Sequence, residues 1–228
     1  DKITFWKERK MTKFKDSQYN YIARQEIETL GMMSSNTWKS DPKRLGFTLA
    51  RYKFVSKMLV GFDNVLEVGC GDAWASRVVK QTVDRLVVSD YDQSFIDSAK
   101  ARHSDDWPME YMVQDFLNEP CLEKFDAIYL LDVFEHISPS LEMSFLENIQ
   151  LSLVDDGICI IGCPSLQSQD LIPLGKRDPG HINCKTGEDL HSTLSKVFSR
   201  VFLFGMNDEN IHVSNSSMNF YNLCVCTA

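Results

Sequence analysis

No apolar run in the 228 residues approaches the roughly 18 needed to span a bilayer, so no membrane segment is expected. Repeats and low-complexity stretches are also missing, which excludes solenoids and coiled coils as the main architecture. The seven cysteines are odd in number and form no Cys-x-x-Cys pair. That spacing supports neither a disulfide framework nor a zinc ribbon. Several lie in apolar runs such as Ile158-Cys159-Ile160-Ile161-Gly162-Cys163, where reduced thiols serve as small core residues. Positive charge is short: 24 Lys and Arg face 32 Asp and Glu, a net charge of −8. Nucleic-acid backbones are usually gripped by a basic patch, so no nucleic-acid partner is expected. The charged, aromatic residues 1–16 lack the n- and h-regions of a signal peptide, and the expected location is the cytoplasm.

What is present is an alternation. Phe47, Leu49, Ala50, Phe54, Val55, Met58 and Leu59 recur at spacings near three and four, an amphipathic helix stopped by Gly61. Short apolar runs then alternate with amphipathic segments. Strands are expected at Val65–Val68, Leu86–Ser89, Met109–Val113, Ala127–Leu131, Gly157–Cys163, Val201–Phe204 and Phe220–Cys226. Helices are expected at Ala73–Gln81, Gln93–Arg102, Leu141–Leu153 and Gly187–Val197. The pattern is that of βαβ units, an α/β fold with a mostly parallel sheet covered on both faces. No helix separates the last two strands, and their connection, 205–219, is polar and turn-rich, so the last strand should run antiparallel beside its predecessor. The segment 164–184 is long and irregular for a connection, as loops over binding sites tend to be. Two parts are expected: an N-terminal helical cap on the substrate side over 1–60, and a ligand-binding domain over 61–228.

The chemistry centres on Val65-Leu66-Glu67-Val68-Gly69-Cys70-Gly71-Asp72-Ala73. A strand enters a Gly-x-Gly turn and a helix follows. Glycines permit positive φ and close approach of a ligand to the backbone. By itself such a turn is also an ordinary βα connection. Asp90, at the end of the second strand and about 20 residues on, is placed to accept bonds from ribose hydroxyls. Its neighbour Tyr91 joins it, while Asp92 is suited to cap the next helix. Asp115 is placed to accept from an adenine amino group and Phe116 to pack on the ring, although a solvated turn explains the pair equally. Two adenosine ligands fit this footprint: a dinucleotide or S-adenosylmethionine. A dinucleotide turn wants a third glycine where Trp74 stands, and Glu67 is unusual for such a turn, so the ligand without a pyrophosphate is favoured.

From about residue 45 onward the chain resembles the class I S-adenosylmethionine-dependent methyltransferases. Leu66-Glu67-Val68-Gly69-Cys70-Gly71 is very similar to that family's first motif. Ser89-Asp90-Tyr91-Asp92 resembles the second motif and Gln114-Asp115-Phe116 the third. Phe125–Ile137, ending Glu135-His136-Ile137, resembles the fourth and is similar to the subgroup holding ubiquinone-biosynthesis O-methyltransferases. The resemblance implies a Rossmann-like three-layer sandwich whose seven-stranded sheet has an antiparallel last strand. It implies that Gly69 and Gly71 face the methionine part, that Asp90 holds the ribose and that Asp115 meets the adenine, with Glu67, Cys70, Tyr91, Phe116 and Leu131 as further cofactor-binding residues. Trp74 and Ala75 depart from the small residues common after the glycines.

Methyl transfer from a sulfonium is an in-line displacement, and a hydroxyl acceptor must also lose a proton. His136 and His181 are the expected catalytic groups, since neutral imidazole is a suitable base near pH 7. The spacing Asp132-x-x-Glu135-His136 also sets three ligand-type side chains on adjoining turns, with His181 a fourth. Helix capping or loop anchoring accounts for the same residues, and the expectation is a site without metal, a divalent cation being the alternative. Trp38, Arg44, Arg51 and Tyr52 are candidates for the acceptor side, Arg51 being suited to pair with a cofactor carboxylate. The expected activity is methyl transfer to an oxygen or nitrogen of a small molecule. Alternatives are a protein or RNA methyltransferase and a silent S-adenosylmethionine-binding domain. A nicotinamide oxidoreductase is disfavoured by Trp74.

Overall fold

Strand β1 (Asn64–Val68) shows why the sheet is central: Val65, Leu66, Glu67 and Val68 are all buried, so both of its faces are covered. The computed structural model describes residues 28–213 and 215–228; the aromatics Phe5, Trp6, Tyr19 and Tyr21 lie outside the described residues. Seven further strands complete one sheet: β2 (Arg85–Asp90), β3 (Glu110–Val113), β4 (Phe125–Leu131), β5 (Leu153–Pro164), β6 (Arg200–Asn207), β7 (Asn210–His212) and β8 (Tyr221–Thr227). Their order is β3-β2-β1-β4-β5-β8-β6-β7. Strands β1 to β5 pair in parallel, and β8 inserts antiparallel between β5 and β6, with Ile161 and Leu203 both opposite Cys224.

The period-2 geometry of strands splits the core into two halves. Val65, Leu86, Val88, Ala127, Tyr129 and Ile160 point to one face. There they meet Tyr52 and Val55 of helix α2 (Pro42–Met58), the following Leu59, Val79 of α3 (Ser76–Lys80) and Ile96 of α4 (Gln93–Lys100). Leu66, Val68, Ile128, Leu130, Cys159 and Ile161 point to the other face, against Phe145, Leu146 and Ile149 of α5 (Glu142–Leu151) and Leu190 and Leu194 of α7 (Gly187–Leu194). Each fully buried aliphatic side chain here stabilises by about 1.5–3 kcal/mol. Helix α4 starts where Asp92 accepts from the backbone N–H of Ser94 at 2.8 Å. Such a cap stabilises by about 1 kcal/mol.

The three-layer sandwich is as expected; the strand count is not. An eighth strand, β7, forms a tight hairpin with β6 across Asp208-Glu209, and Asp208 takes the left-handed conformation. Asp-Glu is not the Asp-Gly signature of such a turn, and three residues carry no readable alternation. Helix α1 (Met32–Ser40) has no buried residue and hence no apolar stripe to announce it. Within 164–184 the chain forms a short helix α6 (Leu166–Asp170), capped by Ser165, and a single 3₁₀ turn at Leu174–Lys176.

Candidate active site

The loop after β1 carries three consecutive left-handed positions at alternate residues: Gly69 (φ 72°), Gly71 (φ 49°) and Ala73 (φ 52°). A Cβ on Gly69 would lie 2.3 Å from Val133 Cγ2, so this glycine is required by its neighbour. A Cβ on Gly71 would meet nothing within 4 Å; the space above it is open. The two glycines therefore do different things, one permitting packing and one leaving room for a ligand.

Asp90 braces this loop at the end of β2. One carboxylate oxygen accepts from the N–H of Gly71 at 3.0 Å, the other from the N–H of Asp92 at 3.0 Å. Its position at the carboxyl end of the sheet, against the loop backbone, is where an adenosine ribose is held in such folds. Tyr91 beside it is 75% exposed. Asp115 closes a turn by accepting from Leu117 N–H at 2.9 Å and from Asn118 Nδ2 at 2.8 Å. Leu131 and Cys70 line the cavity described below.

Two expected ligand contacts stand elsewhere. Phe116 is buried with its ring 6.5 Å from that of Phe145, in the core half beneath α5. The turn made by Asp115 directs the chain inward at this point, so Phe116 packs in the core rather than on a ligand ring. Glu67 is 2% exposed beneath the glycine loop. Tyr52 OH donates to one of its oxygens at 2.6 Å and Tyr129 OH to the other at 2.7 Å. Burial pushes the Glu67 carboxyl up to about 7 against the pull of its hydroxyl donors. It supports the loop from below instead of facing a ligand. The tyrosines come from positions 15 and 62 residues away, and nothing local in the sequence announces them.

A cavity of about 420 Å³ opens beside the loop. Gly69–Ala75 form one side; Met33, Thr37, Arg44, Leu45 and Tyr52 of α1 and α2 form the other; Leu131, Asp132 and Asp178 close the end. Its volume is in the range of small-molecule sites. Trp38, expected on this side, is 61% exposed and does not line it. Helix α1 is tied to the loop by Asp72, whose carboxylate accepts from Ser34 N–H at 2.7 Å. Arg102 donates to the Asp72 carbonyl at 2.8 Å. Sequence reading missed this tether; its signal would have been an acid directly after the second loop glycine.

Arg51 is 2.6 Å from Asp132 and lies 3.8 Å over the Tyr221 ring. Its guanidinium is thus engaged at the cavity end by a residue of the fourth motif. Asp132 itself has φ 58°, an uncommon state for a non-glycine residue that is often found at functional sites. Next to it Glu135 is completely buried; burial first and the Asp132 carboxylate second push its carboxyl well above the ordinary range. The rings of His136 and His181 meet edge to face, with centroids 5.1 Å apart. Burial lowers the His181 pKa, so His181 is neutral near pH 7. One ligand-type atom from each of Glu135, His136 and His181 lies within 4.8 Å of the others. The structure therefore brings together the two histidines that sequence placed 45 residues apart.

Residues 65–157 match the family model described as a methyltransferase domain. A search of curated proteins finds no match. Among solved structures, the chain is similar to the N-methyltransferase NodS of Bradyrhizobium japonicum WM9 in complex with S-adenosyl-L-homocysteine, with 17% identity over 93% of this chain and 98% of that one and a TM-score of 0.60. It is also similar to an S-adenosylmethionine-dependent methyltransferase from Clostridium acetobutylicum ATCC 824, with 13% identity, coverage of 92% and 98%, and a TM-score of 0.66. A third likeness is to a putative methyltransferase of Haloferax volcanii in complex with the Trm112 methyltransferase activator, with 15% identity, coverage of 90% and 99%, and a TM-score of 0.61. At these identities the structures speak to the fold. The family match spans all four motifs from β1 to the start of β5, so residues 65–157 form a methyltransferase domain, carried on the fold that these S-adenosylmethionine-dependent methyltransferase structures share. Its residues fit the methyl donor, because the open space over Gly71 and the bracing of the loop by Asp90 leave a cradle of the right chemistry. Among the described residues, no helix is long and apolar enough to cross a membrane.

Proposed function

We propose that the protein methylates an oxygen or nitrogen atom of a small-molecule acceptor. The observation that carries this is the cavity of about 420 Å³, lined by α1 and α2 as well as by the glycine loop. A half-open space of that size, bordered by the cap helices, suits small ligands, and the net charge of −8 does not favour a nucleic-acid acceptor. Residues 1–60 are assigned as the acceptor-side cap and 61–228 as the catalytic domain, with α1 and α2 as the described part of the cap.

S-adenosylmethionine, when bound, supplies an electrophilic methyl group on a sulfonium. The chain's own residues bind and orient. Gly69, Cys70 and Gly71 take the methionine end, Asp90 and Tyr91 the ribose, and Asp115 and Leu131 the adenine. Arg51 is assigned to the donor's carboxylate, a role in which it would share its guanidinium with Asp132. His136 and His181, whose rings meet edge to face close to Asp132 in the fourth motif, are assigned to take the acceptor's proton.

The test is a product assay for S-adenosylhomocysteine across a library of hydroxylated and amino metabolites, paired with calorimetry using S-adenosylhomocysteine and NAD. Micromolar binding of S-adenosylhomocysteine and turnover with one acceptor class are expected. Turnover only with RNA or protein would overturn the acceptor assignment. For Arg51, an Arg51→Ala variant should bind S-adenosylhomocysteine at least tenfold more weakly; an unchanged dissociation constant rejects its assignment to the donor.

A further inference from the structure

Arg51 is packed in an unusual way for a cation beside a cavity. Its side chain is only 13% exposed, and its guanidinium carbon lies 3.8 Å from the centroid of the Tyr221 ring. Nη1 donates to the Asp132 carboxylate at 2.6 Å. Nε is buried and has no hydrogen-bond partner among the described residues. A guanidinium removed from water must recover the hydration it gives up. One carboxylate recovers part of it. The face of the phenol ring recovers more, since the ring quadrupole attracts a cation most strongly where water does not screen it.

Sheet topology brings Tyr221 to this place. It is the first residue of β8 and stands opposite Pro164, the last residue of β5. Because β8 runs antiparallel to β5, its first residue lies at the carboxyl end of the parallel strands, the edge where ligands bind in such sheets. A glycine makes the room. A Cβ on Gly162 would stand 2.8 Å from the Tyr221 hydroxyl oxygen, and the Gly162 carbonyl accepts from the N–H of Asp132 at 2.9 Å. Gly162 therefore contacts both the ring that Arg51 lies on and the residue that Arg51 grips. The Tyr221 hydroxyl is buried and has no hydrogen-bond partner among the described residues. What Tyr221 offers Arg51 is its ring, and its hydroxyl is spare.

We propose that Tyr221 is a positioning residue for the methyl donor: its ring fixes the Arg51 guanidinium, with Nη1 on Asp132, so that the rest of the fork is presented to the donor's carboxylate. The inference rests on the assignment of Arg51 to that carboxylate. A guanidinium carries several N–H donors in one plane, and Asp132 engages only Nη1, so capacity for a second carboxylate remains. An arginine side chain that is free in the unbound protein loses rotamer freedom when a ligand orders it. Stacking on Tyr221 orders it before the donor arrives. The ring therefore acts on the amino-acid end of the donor and leaves the adenosine end alone.

The experiment is calorimetry on the full chain with two probes: S-adenosylhomocysteine, and 5′-methylthioadenosine, which lacks the amino-acid end. Tyr221→Phe keeps the ring and removes an unpartnered hydroxyl, so it should bind S-adenosylhomocysteine within about twofold of the wild type and melt no lower. Tyr221→Leu should weaken S-adenosylhomocysteine at least about fivefold. Tyr221→Met, which fills more of the space of the ring, should do the same and keeps the test standing where the leucine variant does not fold. All three should bind 5′-methylthioadenosine within about twofold of the wild type, a result that general damage to the fold would not give. In an Arg51→Ala background Tyr221→Leu or Tyr221→Met should add less than about twofold, because the residue through which the ring acts is gone. Leucine and methionine variants that hold S-adenosylhomocysteine as tightly as the wild type overturn the proposal. So does a phenylalanine variant as weak as they are, equal weakening of both probes, or full additivity with Arg51→Ala. The two readings fail differently: a wild type that binds neither probe sinks the methyltransferase reading, whereas a wild type that binds both, with variants that do not discriminate between them, sinks only the role of Tyr221.

Discussion

Glu67→Gln should flatten the pH dependence of stability. Glu67 has an ordinary carboxyl pKa of 4.5 in the unfolded chain and about 7 in the fold, because burial opposes ionisation more than two tyrosine hydroxyls favour it. The folded state therefore holds the proton more tightly than the unfolded one. Stability from this group is fully present below pH 4.5 and is lost as pH rises through 7. Each step of one in pKa corresponds to 1.36 kcal/mol, so the loss approaches about 3 kcal/mol by pH 8.5. For a chain this size 1 kcal/mol moves the melting temperature by roughly 2–4 °C, giving a fall of about 6–12 °C from this group alone. The assay is thermal denaturation of both proteins from pH 5 to pH 8.5 at constant ionic strength. Other titrating groups are common to both chains and cancel in the difference. Glutamine adds a constant offset, since one tyrosine hydroxyl must turn to accept from its amide, but no slope. The wild type should therefore lose stability relative to the variant as pH rises. Parallel curves, or a wild type that gains on the variant with pH, would refute the placement of an ionisable carboxyl in an apolar layer.

The two loop glycines should separate stability from binding. Gly69→Ala drives a methyl group against Val133 and should destabilise by about 1–3 kcal/mol in the melt. Gly71→Ala meets open space, so it should cost only the roughly 1 kcal/mol of a left-handed alanine while weakening S-adenosylhomocysteine at least tenfold by calorimetry. The reverse ordering would mean that the space over Gly71 is not where the donor sits. Six of the seven cysteines are buried and the seventh, Cys184, is half-buried with its thiol pushed up to about 11 by burial and the Glu135 charge. Native protein at pH 7 should accordingly show no rapidly reacting thiol with dithiobis-nitrobenzoate and all seven in denaturant; fewer than seven would reveal a disulfide.

The strands were legible because a sheet covered on both faces forces continuous apolar runs, and β1, β4 and the apolar part of β5 are such runs. The missed elements are those that tertiary contacts make. Helix α1 buries nothing and is held by Asp72, a residue 38 positions from Ser34. Phe116 was misplaced because an aromatic after an acid looks the same whether the turn sends it outward or inward, and the Asp115 turn sends it inward. Glu67 was recognised as odd, but its oddness was assigned to the ligand; only the approach of Tyr52 and Tyr129 from distant elements shows that it faces the core.

The histidine cluster marks where sequence reasoning stops for a physical reason. The run Asp132-x-x-Glu135-His136 is local, and residue type alone suggests either a capped turn or a ligand set. What separates the two is whether each carboxylate and imidazole already has a partner. In a capping role Glu135 would accept from backbone N–H groups, yet its oxygens are buried and unpartnered among the described residues. In a loop-anchoring role His136 and His181 would use both ring nitrogens on the loop. Instead Gly180 and Gln169 take only the Nδ1 atoms, and Nε2 of His181 has just the 3.9 Å approach of Asp178. Both supporting residues lie in the 164–184 segment, which sequence identified as irregular and assigned to the site without saying what it does there. Its contribution is orientation: it fixes which nitrogen of each ring is left free, and so joins the fourth motif to the long loop.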